Sequence, residues 1–307
     1  MNLSTRVLGV DFQNPVLLAA GTCGFGRELE EVVDLEALGG FVTKSVTVEP
    51  RTGNPAPRVA EFSAGMLNSI GLANPGLARV RSEKLPWIAA NVRAPRVLVS
   101  IAGHVVEEYF RLVEGLDDAD GFLGYEVNLS CPNDAKRGGA PFALDPEAVT
   151  EILSGCRSRT DRPLVAKLAP NDPRLAETVR RAEAAGADAL TLVNTLPGLL
   201  LHAESGTPEL GAGPGGTSGP ALRPAGTRAV REARSVTSLP ILGVGGVLAP
   251  VDAVGYARAG ADLVQMGTAT FAAPRAAERL TEGLRRWGRR NRVGTWTELV
   301  SGGGARA

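Results

Sequence analysis

The chain has 307 residues, 44% of them hydrophobic, and its 33 Lys and Arg side chains balance 33 Asp and Glu. The balanced charge excludes a global attraction to nucleic acid or to an anionic membrane, and 5% aromatic residues provide little stacking surface for single-stranded nucleic acid. The apolar fraction suits one domain covering residues 1–307, and 38 glycines favour a fold with many tight turns.

The start of the chain and its cysteines indicate a cellular compartment. No signal-peptide pattern opens the sequence, and no apolar run approaches the roughly 20 residues that span a bilayer. The three cysteines, Cys23, Cys131 and Cys156, are widely spaced and predict neither a disulfide framework nor a metal site. We therefore expect a soluble cytoplasmic protein without a bound metal.

Eight short apolar or β-branched runs alternate with helical segments along the chain. Eight strands separated by helical crossovers favour an α/β fold, a closed (β/α)8 TIM barrel, with an open doubly wound sheet as the alternative. Amphipathic patterns predict helices at residues 146–159, 174–185 and 227–235, and a solvated helix end at 281–292. The predicted strands cover residues 16–20, 41–45, 97–101, 124–129, 164–168, 189–193, 241–243 and 263–266.

Two segments rich in Pro, Gly and Asn interrupt this alternation, at residues 50–90 and 196–224. Each follows the carboxyl end of a predicted strand, the face on which barrel active sites lie. Loops of this length in a compact domain are usually functional. The sequence therefore predicts a barrel with long loops inserted at its carboxyl-end face.

Lysine is rare in this chain, with only four among the 33 basic residues. Lys44 and Lys167 lie at predicted strand ends, as do Asn128 and Asn194. A buried lysine is costly without a partner. An anionic or electron-rich ligand would explain both lysines; the alternative is that each pairs with a carboxylate on a neighbouring strand.

Glycines follow the last two predicted strands, with Gly245 and Gly246 after the seventh and Gly267, followed by Thr268, after the eighth. Loops seven and eight are the usual phosphate site of a TIM barrel, where backbone N–H groups bind the anion. Residues 211–216 match G-x-G-x-x-G formally. They lack a strand–turn–helix context, so we do not expect a dinucleotide site there.

Cys131 directly follows the fourth predicted strand and precedes a polar, glycine-containing loop at residues 134–139. This position suits a catalytic base under a mobile lid, although a lone cysteine is more often structural. Cys23 and Cys156 lack such surroundings. His104 and His202 have no carboxylate or nucleophile pattern beside them, and we assign them no role.

Residues 128–133 (NLSCPN) and 68–72 (NSIGL) closely resemble dihydroorotate dehydrogenase, the flavin enzyme of pyrimidine biosynthesis. The resemblance extends over nearly the whole chain, through residues 19–22, 43–45, 194–195, 218–220 and 267–268 and through Lys167. It implies oxidation of (S)-dihydroorotate to orotate, on the route to UMP, with Cys131 as the base and FMN as the hydride acceptor.

The resemblance also implies the residues that bind each ligand. The FMN set is Gly21, Lys44, Ser45, Ser100, Asn128, Lys167, Val193, Ser218, Gly219, Gly245, Gly246, Gly267 and Thr268. The substrate set is Lys44, Asn68, Ser69, Ile70, Gly71, Leu72, Asn128, Asn133, Asn194 and Thr195.

Cysteine at position 131 resembles the soluble class, since the membrane-associated class has serine there. Gly138, Gly139, Phe142 and residues 145–146 resemble the branch that passes electrons to NAD through a partner subunit. That branch implies a partner with FAD and a [2Fe–2S] cluster, a homodimeric core and a heterotetramer with the partner. Ser100 and Asp134 depart from its pattern, which usually has asparagine and an aliphatic residue at these positions.

Four other functions fit parts of the sequence. A fumarate-linked dihydroorotate dehydrogenase would share the site residues. A dihydropyrimidine dehydrogenase-like flavin barrel would need iron–sulfur domains that three cysteines cannot supply, and a tRNA-dihydrouridine synthase would need a basic surface. A flavin-free phosphate-binding barrel would use the same glycine loops.

Overall fold

In a computed structural model of the chain, the structure describes residues 1–130 and 141–302. Its strands are β1 (Thr5–Val7), β2 (Val10–Phe12), β3 (Val16–Leu18), β4 (Gly40–Val42), β5 (Val59–Phe62), β6 (Gly65–Asn68), β7 (Arg96–Ile101), β8 (Gly124–Asn128), β9 (Leu164–Leu168), β10 (Ala189–Leu192), β11 (Leu196–Gly198), β12 (Gly215–Ser218), β13 (Ile241–Val244) and β14 (Leu263–Met266).

The α-helices are α1 (Gly76–Arg79), α2 (Leu85–Asn91), α3 (Val106–Leu116), α4 (Pro146–Arg157), α5 (Leu175–Ala184), α6 (Arg223–Arg234), α7 (Pro250–Ala259), α8 (Ala269–Ala272), α9 (Ala276–Asn291) and α10 (Trp296–Ser301). A π-helical turn, Val80–Lys84, joins α1 to α2. Among the described helices, none is long and apolar enough to cross a membrane.

The eight predicted strands form a closed parallel barrel in the order β3-β4-β7-β8-β9-β10-β13-β14, with β14 pairing back to β3. Their bounds agree with the predicted runs to within three residues. This confirms the (β/α)8 TIM barrel over the open doubly wound sheet. The predicted helices at 146–159, 174–185 and 227–235 correspond to α4, α5 and α6.

Side chains alternate along each barrel strand between the interior and the surrounding helices. The interior cluster contains Leu17, Leu98, Val165 and Leu242, which come from alternate strands, as in the layers of a TIM barrel. A hairpin of β1 and β2 adds Val7 and Phe12 to the same cluster. The lower part of the barrel is therefore an apolar core, and polar side chains appear only nearer the carboxyl ends of the strands.

The two inserted segments are more ordered than the sequence analysis predicted. β5 and β6 come from residues 50–90, β11 and β12 from residues 196–224, and together they form an antiparallel sheet in the order β11-β12-β6-β5. Residues 50–90 also contain α1 and most of α2. The prediction of long loops was therefore wrong in part: their short, glycine-containing strands are stabilised by pairing between distant segments of the chain.

The C-terminal helical region also differs from the prediction. α9 begins at Ala276 rather than at residue 281, and it buries one face, including Leu280 and Leu284, against the barrel. Arginines occupy its opposite face, and these charged residues are the reason why the sequence predicted a solvated helix end. The helix is thus a packed element of the outer layer.

Candidate active site

Most of the predicted site residues lie at the carboxyl-end mouth of the barrel, on the strand ends or on loops that follow them. Many of their side chains are half-buried, as expected for walls of an accessible cleft. Three groups of contacts define the cleft: an amide cluster on the strand ends, a glycine cradle beyond β13 and β14, and the end of β6. Cys131 and Asn133 lie outside the described residues, as do residues 134–139.

The amide cluster centres on Asn128, the last residue of β8. Its Oδ1 accepts a hydrogen bond from Nδ2 of Asn194 at 3.3 Å, and its Nδ2 donates to Oγ of Ser45 at 3.4 Å. Ser45 in turn lies 2.8 Å from Oγ of Ser100. The cluster thus connects β7 and β8 to the segments that follow β4 and β10, and it provides both donors and acceptors to a polar ligand.

Ser100 stands where asparagine is usual in the branch that the sequence resembles. The structure gives it a defined place, because its Oγ bonds Ser45 and its backbone N–H donates to Oγ1 of Thr43 at 3.1 Å. Both serines are buried. The substitution therefore keeps a polar contact between β7 and the residues that follow β4.

The two strand-end lysines have different surroundings. Nζ of Lys167 donates to Oε1 of Glu126 at 3.3 Å, and both side chains are almost fully buried. This confirms, for Lys167, pairing with a carboxylate on a neighbouring strand. Lys44 is half-buried, and its Nζ lies 3.9 Å from where a Cβ on Gly21 would stand. Gly21 has a φ of 83°, so the backbone there approaches the ammonium without a side chain between them.

The glycine cradle consists of Gly245 and Gly246 after β13 and Gly267 and Thr268 after β14. A Cβ on Gly246 would stand 2.8 Å from the carbonyl oxygen of Gly219, which leaves no space for a side chain. Among the described residues, the backbone N–H groups of Gly246 and Gly267 donate to no protein acceptor. Such N–H groups are suited to bind a phosphate.

Neighbouring contacts fix the cradle. Oγ1 of Thr268 donates to Oγ of Ser218 at 2.8 Å, which joins the loop after β14 to the antiparallel sheet. The hydroxyl of Tyr256 donates to the carbonyl oxygens of Val244 and Gly245 at 3.1 and 2.8 Å. Burial raises the pKa of this phenol above its ordinary value, so it stays protonated and keeps donating at neutral pH.

The segment 68–72 runs from the end of β6 along one wall of the cleft. Nδ2 of Asn68 donates to the carbonyl oxygen of Gly216 at 3.1 Å, and Oγ of Ser69 accepts from Nδ2 of Asn54 at 2.7 Å. Gly71 and Leu72 adopt φ values of 70° and 57°. The N–H of Asn54 donates to the carbonyl oxygen of Ile70, so the segment is braced along its length.

Asn74 anchors this segment to the barrel, a role that the sequence analysis missed. It is buried, its Nδ2 donates to Oγ1 of Thr47 and to the carbonyl oxygen of Leu72, and its Oδ1 accepts from the N–H groups of Thr47 and Gly76. All four contacts are 2.7–3.2 Å long. A buried amide with every polar atom satisfied is rigid, so Asn74 ties the 68–72 segment to Thr47 in the segment that follows β4.

Thr195 and Val193 follow β10 at the same mouth. Oδ1 of Asn194 accepts from the N–H of Thr195 at 2.8 Å, and Gly216 packs so closely on Thr195 that a Cβ would stand 2.0 Å from its Oγ1. Val193 is buried, and its N–H donates to the carbonyl oxygen of Val244 at 3.1 Å. The antiparallel sheet and the barrel therefore meet at Thr195.

The two described cysteines are unsuited to act as bases. Cys23 and Cys156 are both buried. Burial, reinforced by the negative charges of Glu28 and Glu126, raises the pKa of the Cys23 thiol far above its ordinary value. Burial also raises the pKa of Cys156 to about 12. Neither thiol is ionised near neutral pH, and only the thiolate is an effective base.

The remaining candidates lie away from the amide cluster. His104 contacts Arg51, and His202 lies in an exposed hairpin beyond β11. Lys84, in the segment 50–90 for which a long loop was predicted, belongs to the π-helical turn and pairs with Glu28 at 3.1 Å. Within residues 1–130 and 141–302, no group of His, Cys, Asp and Glu side chains could hold a metal ion.

Residues 211–216 end in β12, an antiparallel strand, and not in a strand–turn–helix unit. This agrees with the prediction that the G-x-G-x-x-G match is not a dinucleotide site.

The sequence analysis also missed Glu126, Thr191 and Gln265, which surround Lys167. An acidic residue in the middle of an otherwise buried strand was the available signal for Glu126.

Comparisons with known proteins relate this cleft to one family. The family model described as dihydroorotate dehydrogenase matches residues 2–287. The chain is 40% identical over 299 residues to "Dihydroorotate dehydrogenase B (NAD(+)), catalytic subunit" of Pelobacter propionicus and 41% identical over 299 residues to the protein of that name from Geotalea uraniireducens. It is 44% identical over 298 residues to "Putative dihydroorotate dehydrogenase A (fumarate)" of Solibacter usitatus. Each alignment covers 97% of both proteins.

Proposed function

The chain belongs to the dihydroorotate dehydrogenase family, and we propose on this basis that it oxidises (S)-dihydroorotate to orotate in pyrimidine biosynthesis. The observation that carries the proposal is that amide, lysine and glycine groups from distant parts of the chain meet at one barrel mouth. Asn128 and Asn194 provide hydrogen-bonded amides at the strand ends, Asn68 provides another at the end of β6, and the glycine cradle follows β13 and β14. Dihydroorotate offers an imide edge, an amide and a carboxylate, which these donors and acceptors match.

The residues present fit FMN as the cofactor. The unused N–H groups of Gly246 and Gly267, with the close approach that only glycine permits, suit its phosphate. Ser218, Gly219, Gly245 and Thr268 border this cradle. Lys44, Ser45, Ser100, Asn128, Lys167, Val193 and Gly21 would hold the ring system nearer the strand ends. When bound, FMN would accept the hydride from C6 of dihydroorotate.

Cys131 is the base in this proposal, taking the proton from C5 of dihydroorotate as a thiolate. The elevated pKa values of Cys23 and Cys156 support this choice, because the remaining cysteine is the one that follows the amide cluster in sequence. Lys44, the segment 68–72, Asn128, Asn133, Asn194 and Thr195 would bind the substrate. Their role is to orient C5 toward the base and to exclude water from the reaction.

We further propose that the electrons pass to NAD through a partner subunit carrying FAD and a [2Fe–2S] cluster, on a homodimeric core of this chain. Support comes from the two NAD-linked relatives that are named as catalytic subunits. The relative named for fumarate favours direct reduction of fumarate as the second candidate. The two functions share the first half of the reaction and differ only in how the cofactor is reoxidised.

The decisive experiment is an absorption spectrum of the purified chain with and without dihydroorotate under anaerobic conditions. We expect a flavin band near ~450 nm that bleaches when dihydroorotate is added. A colourless protein that also fails to take up added FMN would contradict the cofactor, and a flavin band that dihydroorotate leaves unchanged would contradict the substrate. Matched addition of dihydrouracil, which lacks the carboxylate, controls for substrate class and should leave the band intact.

A further inference from the structure

A carboxylate lies inside the barrel, two residues before Asn128 on the same strand. Glu126 is fully buried on β8. Its Oε1 accepts from Nζ of Lys167 at 3.3 Å, and its Oε2 accepts from Oγ1 of Thr191 at 2.9 Å and from Nε2 of Gln265 at 3.2 Å. The three donors come from β9, β10 and β14, so one carboxylate connects four of the eight barrel strands.

Packing alone does not require a charge at this position. The neighbouring interior layer of Leu17, Leu98, Val165 and Leu242 is filled by apolar side chains. An ion pair in a buried site repays its desolvation only with good geometry, and an apolar replacement of the whole pair is often neutral or stabilising. The pair therefore suggests a role in the site above it more strongly than a role in stability.

We propose that Glu126 is a positioning residue that holds Lys167 in its cationic form at the floor of the candidate active site. The inference rests on the proposed function, in which Lys167 is one of the residues that bind FMN. Glu126 supplies the countercharge and fixes the ammonium through one oxygen, while Thr191 and Gln265 fix the other oxygen. Lys167 then presents a fixed positive charge to electron-rich atoms of the ring system.

Gln265 makes a precise test possible. Its Oε1 is buried and has no hydrogen-bond partner within the described part of the chain. Rotation of this amide would offer Oε1 to a new N–H donor at position 126. The Glu126→Gln substitution therefore keeps the volume and can keep a hydrogen bond between positions 126 and 265 while it removes the charge.

When Glu126→Gln removes the negative charge, the buried Lys167 ammonium no longer contacts a carboxylate. Burial disfavours an uncompensated cation, so its deprotonation should become observable at moderately alkaline pH. The other titratable groups to separate from it are Cys23, whose thiol senses Glu126 electrostatically together with Glu28, and Lys44, beside Gly21. A second substitution at Lys167 separates its ionisation from theirs.

The experiment records the absorption spectrum of bound FMN between about pH 6 and pH 10 for the wild type, E126Q, K167M and the double variant. We expect a reversible pH-dependent shift of the flavin band in E126Q that is absent from the wild type and from E126Q/K167M. The control is D262N, which removes the negative charge from a largely buried pair with Arg234 (2.8 Å) just before β14. It should lower the melting temperature without producing the shift.

A second readout needs no flavin. Thermal unfolding of the same proteins should show that K167M restores part of the melting temperature lost in E126Q, because removing both charges leaves none uncompensated. A spectrum of E126Q as pH-independent as that of the wild type, a shift that persists in the double variant, or additive losses of melting temperature would each overturn the proposal. A wild type that binds no FMN would instead refute the proposed function, and thermal unfolding would still test the pair.

Discussion

Asn194 donates a hydrogen bond from its Nδ2 to Oδ1 of Asn128 over 3.3 Å, at the mouth of the barrel. Asn128 ends β8, whereas Asn194 follows β10, so β9 lies between the strands that carry them. Because Oδ1 of Asn128 accepts from Asn194 and from the N–H of Ser130, the Asn128 amide has a defined orientation. Its Nδ2 is directed toward Ser45 and remains the donor that a ligand at this position would meet.

This orientation leads to a prediction for Asn128→Asp. The isosteric substitution keeps Oδ1 as the acceptor for Asn194 but replaces Nδ2, the only donor of this side chain. A bound imide would therefore face a negative charge. We expect kcat/KM for dihydroorotate to fall on the order of 10- to 100-fold, the cost of leaving a buried polar group unpaired. The matched control is Asn291→Asp, at the exposed end of α9, which should leave kcat/KM unchanged. An N128D enzyme with normal kcat/KM would remove Asn128 from the substrate site.

The sequence predicted the eight barrel strands well because each is a short apolar run that is buried on both faces. Leu164–Leu168 and Leu263–Met266 even agree with the predicted bounds. The antiparallel sheet was missed because strands such as Gly215–Ser218 contain small residues and gain stability from pairing with other strands, among them Gly65–Asn68, about 150 residues away. Local propensity carries no information about such pairing.

The site was predicted less completely than the barrel, for a related reason. Single residues at strand ends could be read from the sequence, and the structure brings Asn128, Asn194 and Ser45 into contact as expected for one mouth. Glu126 acts through partners that are distant in sequence, and Asn74 reaches Thr47, 27 residues earlier. Their roles are visible only when the register of neighbouring strands is known.

The base assignment leads to the prediction for Cys131→Ala. The variant should retain FMN but lose reduction of the flavin by dihydroorotate by a factor on the order of 10²–10⁴, the usual contribution of a positioned base. Cys23 and Cys156 cannot substitute for it, because burial raises the pKa of both thiols. Rapid-mixing absorbance under anaerobic conditions measures the reduction rate, and Cys156→Ala serves as the control with a normal rate.

The same assignment fixes the sign of the pH dependence. The thiolate is the active form, so the reduction rate of the wild type should rise as pH increases through the thiol pKa, ordinarily about 8.5. Cys131→Ser should retain a trace of activity that increases further at high pH. Near-normal reduction in the alanine variant, or a rate that falls as pH rises, would exclude Cys131 as the base.

The glycine cradle gives a prediction with a closely matched control. Gly246→Ala should weaken FMN binding by about 10-fold or more, because the added Cβ would stand 2.8 Å from the carbonyl oxygen of Gly219. Gly206 has the same φ of 68° but nothing within 4 Å of its Cβ position. Gly206→Ala therefore carries the conformational cost alone, about 1 kcal/mol, and should bind FMN normally. Equal FMN affinities of the two variants, measured by fluorescence quenching, would contradict the cradle.

Lys44 is the strand-end lysine that does not belong to the buried Glu126–Lys167 pair. Its role can be tested by comparison with Lys84, which lies in a helical turn. Lys44→Ala should weaken both FMN retention and turnover, because its ammonium lies at the mouth beside Gly21. Lys84→Ala breaks a partly exposed pair with Glu28, which costs at most about 1 kcal/mol of stability, and should change neither property. FMN content after gel filtration and steady-state turnover measure the two effects. Equal behaviour of the two variants would assign Lys44 a structural role only.

The last prediction concerns the electron acceptor. The chain has three cysteines, fewer than the four that ligate a [2Fe–2S] cluster, and its G-x-G-x-x-G match ends in an antiparallel strand. Three cysteines are too few for such a cluster, and within residues 1–130 and 141–302 the G-x-G-x-x-G match does not stand in the strand–turn–helix unit that binds a dinucleotide. We expect the isolated chain to reduce artificial dyes with dihydroorotate but to reduce NAD poorly, and a co-expressed partner with FAD and [2Fe–2S] to restore NAD reduction.

Steady-state turnover with NAD and with fumarate, each with and without the partner, tests this. Efficient reduction of fumarate by the chain alone would place it with its fumarate-named relative, and efficient unaided reduction of NAD would contradict both branches.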